Sequence, residues 1–387
     1  MRKTFAFLCI CVFTIGIITA ACDASLTDMH SKSPEPVQSP GTSSVVEQYI
    51  EDKNNENGNP DTGDNRDPDP SQDAIPSVKE YFPIYENVRL VYEGYGNEFA
   101  YFNTYVDYTA DNKVQMRTDN GGSQSVRVIE IRDNAIVETF SRGETYFREN
   151  FLKAAGDEET LLMEPLAQGT SWPLKDGRTR KITSVSADVT TPLGSYKAIE
   201  VTTESGNGIA VDYYAAGVGL VKTVFRSGNE EISSVLSEIV RDVPFVQMVN
   251  FYYPSPEDSS LLLYESREIP FRTNDITRMV LEKAYKTGSE ELDSPVLTKN
   301  TKINSLYLNR DGMVYIDLSA DYIAEMSAGA GYELAMLQCI ANTFGQYYHV
   351  DKVILTIDEE PYSSGHIKLE KGQYLEVNFE ISKSIRS

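Results

Sequence analysis

Ile303-Asn304-Ser305-Leu306-Tyr307-Leu308, then Asn309-Arg310-Asp311-Gly312, then Met313-Val314-Tyr315-Ile316-Asp317-Leu318 is the stretch whose reading decides the fold. Two short runs rich in aliphatic and aromatic residues flank four turn formers, a strong β-hairpin signal. Outward from it the periodicity becomes helical. On the N-terminal side Ile276, Val280, Ala284 and Thr287 share one face of a helix predicted to begin near Asn274, a suitable N-cap, and to end at Gly288. On the C-terminal side a helix is predicted from about Tyr332 to Tyr347. Leu334, Leu337, Ala341 and Phe344 lie on one stripe of it with Met336 and Ile340 beside them, so most of it is buried. Val350 to Ile357 reads as a closing strand before Asp358-Glu359-Glu360, and Val246 to Tyr253 and Leu261 to Glu268 read as two strands around Pro254-Ser255-Pro256-Glu257-Asp258. Elements in this order predict a small α+β domain over residues 244–387, including a C-terminal extension, that covers its own core and folds alone.

Residues 79–243 read differently. Short alternating runs rich in Val, Ile, Thr, Tyr and Phe predict strands at Val88 to Tyr95, Phe99 to Tyr108, Val114 to Arg117, Val126 to Ile131 and Ile136 to Phe140. Four more follow at Ile182 to Val189, Tyr196 to Thr203, Ile209 to Tyr214 and Gly219 to Arg226. Turn signals such as Asp111-Asn112, Asn120-Gly121-Gly122 and Ser205-Gly206-Asn207-Gly208 separate them. An antiparallel β-rich domain follows, with Phe151 to Leu166 as its helix or loop cover. Tyr92, Tyr95, Phe99, Tyr101, Phe102, Tyr105 and Tyr108 serve either as the core of that sheet, the ordinary use of such residues, or as the wall of a concavity for an apolar ligand. The fold class is therefore α+β, with a β-rich domain preceding a small α/β domain.

The N-terminus reads as an address. Arg2 and Lys3 precede an apolar run from Phe5 to Ala20, too short for a comfortable membrane span, and Thr19, Ala20 and Ala21 lead directly into Cys22. A cysteine just after such a site resembles the lipobox of bacterial lipoprotein signals, which implies cleavage after residue 21 and lipid on Cys22. A diacylglyceryl group supplies two acyl chains, and two are needed because one holds only marginally. Residues 22–78 are rich in Ser, Pro, Asn, Gly and Asp and read as a disordered tether. Asp61, Asp64, Asp67 and Asp69 within it lack the spacing of a calcium loop. With 58 acidic against 35 basic residues and a net charge of -23, a phosphate backbone is repelled, so nucleic acid is excluded as a partner. Membrane attachment is expected through Cys22 alone, at the outer face of the cytoplasmic membrane of a Gram-positive bacterium.

Chemistry-bearing residues are few. The three histidines are His30, in the tether, His349 and His366, and Cys339 sits in an apolar helical pattern as a small buried hydrophobe. Gly329-Ala330-Gly331 precedes a helix without the lysine of a phosphate-binding loop, and Glu333 is read as capping that helix. No catalytic residue, cofactor site or metal site is assigned, and the chain is expected not to be an enzyme. Phe251-Tyr252-Tyr253 and Tyr347-Tyr348-His349 are aromatic clusters suited to either an interface or a core.

From Val246 to Pro361 the order of elements resembles the GerMN domain, the sporulation and spore germination module. The residues that carry the resemblance are Asn250-Phe251-Tyr252-Tyr253-Pro254, Arg267-Glu268-Ile269-Pro270, Asp311-Gly312-Met313-Val314-Tyr315-Ile316-Asp317-Leu318-Ser319, Gly329-Ala330-Gly331-Tyr332-Glu333 and Val353-Ile354-Leu355-Thr356-Ile357. Asp358-Glu359-Glu360 departs from the glycine-ended turn of that family. The resemblance implies a fold like ring-building modules and a role in protein assembly, with envelope or sporulation proteins, or further copies of the chain, as partners. The function expected is a lipid-anchored binding and assembly protein. The alternatives are a carrier of a lipid or small apolar ligand and a cell-wall enzyme, which an apolar cavity or a cleft with two close carboxylates would respectively favour.

Overall fold

The computed structural model describes residues 77–385 apart from 259, 290, 291, 293 and 294. The signal, Cys22 and all but the last residues of the expected tether lie outside the described residues. Described structure opens slightly ahead of Tyr81, with a capping box in which Ser77 and Glu80 exchange bonds and with Val78 buried.

Twelve antiparallel strands form one sheet. Its first half is β1 (Val88–Tyr95), β2 (Phe102–Ala110), β3 (Lys113–Asp119), β4 (Gln124–Ile131), β5 (Ala135–Arg142) and β6 (Glu159–Met163). Its second is β7 (Ser171–Pro173), β8 (Thr179–Thr191), β9 (Gly194–Ser205), β10 (Gly208–Ala215), β11 (Gly219–Ser227) and β12 (Glu230–Arg241). The order β6-β5-β4-β3-β2-β1-β12-β11-β10-β9-β8-β7 makes this two meanders joined side by side through the β1–β12 ladder. A sheet this wide curls rather than staying open. Its two edges meet: Trp172 and Arg180, on β7 and β8, donate to the Thr160 carbonyl of β6 at 3.0 and 2.7 Å. The side-chain bonds blunt edges that would otherwise present unpaired backbone groups.

Two predictions for this region are corrected. Phe151 to Leu166 contains β6, a strand, and no helix. Glu230–Arg241 is a twelve-residue central strand that no prediction included, because Glu230, Glu231, Ser233, Ser234 and Ser237 mask its apolar alternation. Ser234 is tolerated in the interior because its hydroxyl donates to the Ala100 carbonyl at 2.6 Å.

The C-terminal part begins with the hairpin β13 (Phe245–Pro254) and β14 (Leu262–Phe271), followed by helix α1 (Thr277–Thr287). β15 (Ile303–Leu308) and β16 (Val314–Leu318) pair antiparallel, short helix α2 (Asp321–Glu325) and long helix α3 (Ala330–Tyr348) follow, and β17 (Lys352–Ile357) returns parallel to β16. The predicted hairpin is present residue for residue over β15. Gly312, at φ 80°, supplies the left-handed step that lets the Asn309 and Met313 backbones close the loop. The turn after β17 takes positive φ at Asp358 and Glu359 without glycine. Asp317 holds it, accepting from Glu359 N at 2.7 Å and from Thr356 Oγ1 at 2.6 Å.

Helix α1 starts later than predicted. Asn274 is not its cap: it sits in the left-handed region at φ 69°, and its side chain accepts from Thr109 N at 2.8 Å at the end of β2. Leu337, Ala341 and Phe344 are fully buried in α3 as predicted, whereas Leu334 is 58% exposed, so the stripe drifts away from it.

One hydrophobic core fills the curl of the sheet. The second packs α1, α3 and the strands β13–β17, and it also takes in Tyr108, Val126, Val128, Phe147, Phe151 and Leu152 from the β-rich part. β2, β3 and β4 are consequently buried on both faces, and plain alternation along β4 sends Val126 and Val128 to one core and Ile129 and Ile131 to the other. The seam is ionic as well. Arg117 and Asp107, both completely buried, pair at 3.0 Å, and Arg148 reaches the Asp107 and Arg272 carbonyls at 2.6 and 2.9 Å and bonds the Asp275 carbonyl. The C-terminal domain, expected to cover its own core, thus shares that core with the sheet.

Candidate ligand cavity in the curled sheet

A cavity of about 90 Å³ lies within the curl of the sheet. One side is apolar, made by Leu90 and Tyr92 of β1, Phe102 of β2, Met116 of β3, Leu161 of β6 and Leu220 of β11. Tyr92 and Phe102 stack with centroids 4.3 Å apart, and the Tyr92 hydroxyl is fixed on the Leu220 carbonyl at 2.9 Å. The other side is charged. Arg127, Glu138 and Glu159 come from β4, β5 and β6, and Arg180, Asp212 and Thr223 come from β8, β10 and β11. Because the sheet curls, the outer strands of both meanders aim these groups at one space.

Their bonds are largely mutual. Arg127 pairs with Glu138 at 3.2 Å. Arg180 uses its whole guanidinium: Nη2 on Glu159 at 2.6 Å, Nη1 on the Thr160 carbonyl at 2.7 Å and Nε on Thr203 Oγ1 at 3.1 Å. Burial disfavours the Arg180 charge, but Glu159 and Asp212 outweigh it and its pKa is raised. Burial likewise pushes the Glu138 carboxyl up, opposed by Arg127 and assisted by Glu159, its cross-strand neighbour in the β5–β6 register. Asp212 is raised too, chiefly by burial, with the fields of Arg180 and Arg127 and a hydrogen bond from Thr223, directly opposite on β11, pulling the other way. Asp212 is only half-buried by area because what it exposes faces the cavity. Tyr214 beside it is raised by burial and by Asp212. The arrangement can hold a molecule with an apolar body and a polar head.

The groups singled out in the sequence are scattered rather than gathered. Cys339 is buried in α3, where burial pushes its thiol well above the usual range. His349, ten residues on and roughly 15 Å along the helix by its rise, ends α3 in the left-handed region with its ring 5.5 Å from Tyr146. His366 is exposed. Glu333 does not cap α3: no side chain caps that end, and Glu333 is buried, accepting from the hydroxyls of Tyr362, at 2.8 Å, and Ser364. Phe251, Tyr252, Tyr253, Tyr347 and Tyr348 belong to the core. Of the aromatics considered for a concavity, Tyr92 and Phe102 line the cavity, Tyr108 lies in the other core, and Tyr95, Phe99 and Tyr101 are exposed.

A curled antiparallel sheet carrying a C-terminal α/β domain thus defines the class. Within it, residues 250–363 match the family model Germane, described as sporulation and spore germination, so the resemblance read over Val246 to Pro361 holds and this part of the chain is a GerMN-type domain. Among solved structures, the chain is similar to a protein from Parabacteroides distasonis described as a lipoprotein, at 16% identity over 41% of this chain and 98% of that one, with a TM-score of 0.27. It is similar to an exported protein with YmcC-like fold from Bacteroides fragilis, at 14% identity over 41% and 98%, TM-score 0.27. It is also similar to the first GerMN domain of the sporulation protein GerM from Bacillus subtilis, at 20% identity over 32% and 94%, TM-score 0.25. No protein of curated function matches.

Proposed function

We propose that the chain is a non-enzymatic, lipid-anchored protein at the outer face of the cytoplasmic membrane, whose GerMN-type domain docks on other envelope proteins in sporulation or germination. The observation that carries this reading is the match of residues 250–363 to the Germane family. The apolar run and small residues ahead of Cys22 support the anchor. Tyr307 and Tyr315, opposite one another on β15 and β16 and stacked at 5.6 Å with Tyr307 40% exposed, offer an aromatic contact of the kind enriched at interfaces. Mass spectrometry of the mature N-terminal peptide tests the anchor: it should show acyl-modified Cys22, and an unmodified N-terminus elsewhere would refute it.

The cavity favours a second role in the same chain, as a carrier of a small ligand in the β-rich part. Glu138 and Glu159 are neighbouring carboxylates there, but each is held by an arginine, which supports binding rather than acid–base work.

A further inference from the structure

We propose that the cavity in the curled sheet takes an organic cation, an alkylammonium whose charged head meets Asp212 and whose apolar body lies against the Tyr92–Phe102 stack. The proposal rests on the carrier role of the sheet and adds the chemical class of what is carried.

Charge counting is the first support. Three carboxylates, Glu138, Glu159 and Asp212, face two guanidiniums, Arg127 and Arg180, so with all five ionised the cavity holds one surplus negative charge. In surroundings of low dielectric such a surplus is costly unless something positive joins it. The second support is the state of the donors. Arg180 has every nitrogen engaged and Arg127 is paired with Glu138, so an incoming anion would have to displace existing bonds. Asp212 differs: a carboxylate has about four lone-pair sites, and its side-chain bond comes from the single hydroxyl of Thr223. Its accessible edge opens into the cavity. The upward push on its pKa says the same thing: the fixed groups do not supply all the positive charge an ionised Asp212 requires.

The wall is the third support. Tyr92, Phe102 and Tyr214 line the same space and present rings that attract a cation through their faces while covering an apolar tail. A plain alcohol would gain the tail contacts but leave the surplus charge unanswered.

The test is calorimetric titration of the full mature chain with three probes that share a tail: hexylammonium, hexanesulfonate and hexan-1-ol. Hexylammonium should bind at least about tenfold more tightly than the other two, the scale of a charge-assisted bond inside a protein. Asp212→Asn keeps the shape and the acceptor for Thr223, so it should fold, melt no lower, and lose about tenfold or more in hexylammonium affinity. Tyr92→Leu, which leaves every charge in place, should weaken hexylammonium more than hexan-1-ol. Equal or tighter binding of the sulfonate or the alcohol, or undiminished hexylammonium binding in Asp212→Asn, would overturn the ligand class and leave the carrier role standing. Binding of none of the three would overturn the proposal and the carrier role together.

Discussion

The GerMN-type domain and the curled sheet both bury polar groups, and they satisfy them in different ways. Around α3 the buried polar groups are hydroxyls, the Asn342 amide and a single carboxylate, Glu333, which two hydroxyls bond. Tyr285 donates to the Tyr252 carbonyl at 2.6 Å and accepts from Thr343, and Tyr362 donates to Glu333. Among the described residues the Tyr322 hydroxyl has no partner. The sheet instead gathers two guanidiniums and three carboxylates around a void. Neutral hydroxyls close a core at small cost, whereas a charge cluster with a surplus is expensive in the empty state. A packed domain is left with its surface to work with; a sheet that retains an uncompensated interior has a reason to bind something there.

The largest expected effect falls on the seam between the two. Arg117→Met removes the closer of the two arginines on a fully buried Asp107 together with bonds to the Thr145 and Phe147 carbonyls. It should cost about 3 to 5 kcal/mol, because the buried Asp107 keeps only the longer contact of Arg148 Nε at 3.7 Å and the Gln115 amide at 3.2 Å. If chemical denaturation shows a loss below about 1 kcal/mol, the seam is not the ionic joint described. Next comes the packed core: Leu337→Ala should cost roughly 2 to 5 kcal/mol. Leu334→Ala, one helical turn away but exposed, should stay within about 0.5 kcal/mol. Equal losses at the two positions would break the assignment of the α3 face.

The effect at Asp212 carries a sign. Asp212 has a raised pKa in the folded state, so the native chain holds its proton more tightly than the unfolded one. Above that folded pKa the ionised, buried carboxylate weakens the fold; as pH falls towards the usual value of 3.8 the penalty disappears. Asp212→Asn should therefore stabilise the ligand-free protein at pH 7 to 8, and the gain should shrink on acidification. Melting curves of the two proteins over that range decide it; a gain that grows on acidification would contradict the surplus-charge description.

The hairpin from Ile303 to Leu318 was legible because turn formers punctuate two runs whose pattern no helix could share. Asn274 was misread for a tertiary reason: an N-cap and a left-handed clamp onto Thr109 favour the same residue type. Glu333 stands in the first turn where a cap belongs, but Tyr362 and Ser364, about thirty residues on, claim its carboxylate. Most of the cavity was illegible. Period-two alternation marks two faces of a strand without saying which is inside, and β2 to β4 are buried on both. Arg127 lies between Val126 and Val128, which belong to the other core, so a charge in that position looked like an ordinary solvent-facing residue.

Docking through the GerMN-type domain is tested most directly by photo-crosslinking in native membranes. A photoreactive residue in place of Tyr307, on β15, should give a discrete adduct with an envelope protein. The same residue in place of the equally exposed Leu193, between β8 and β9, should give none. Adducts absent at Tyr307, or identical at both positions, would contradict it.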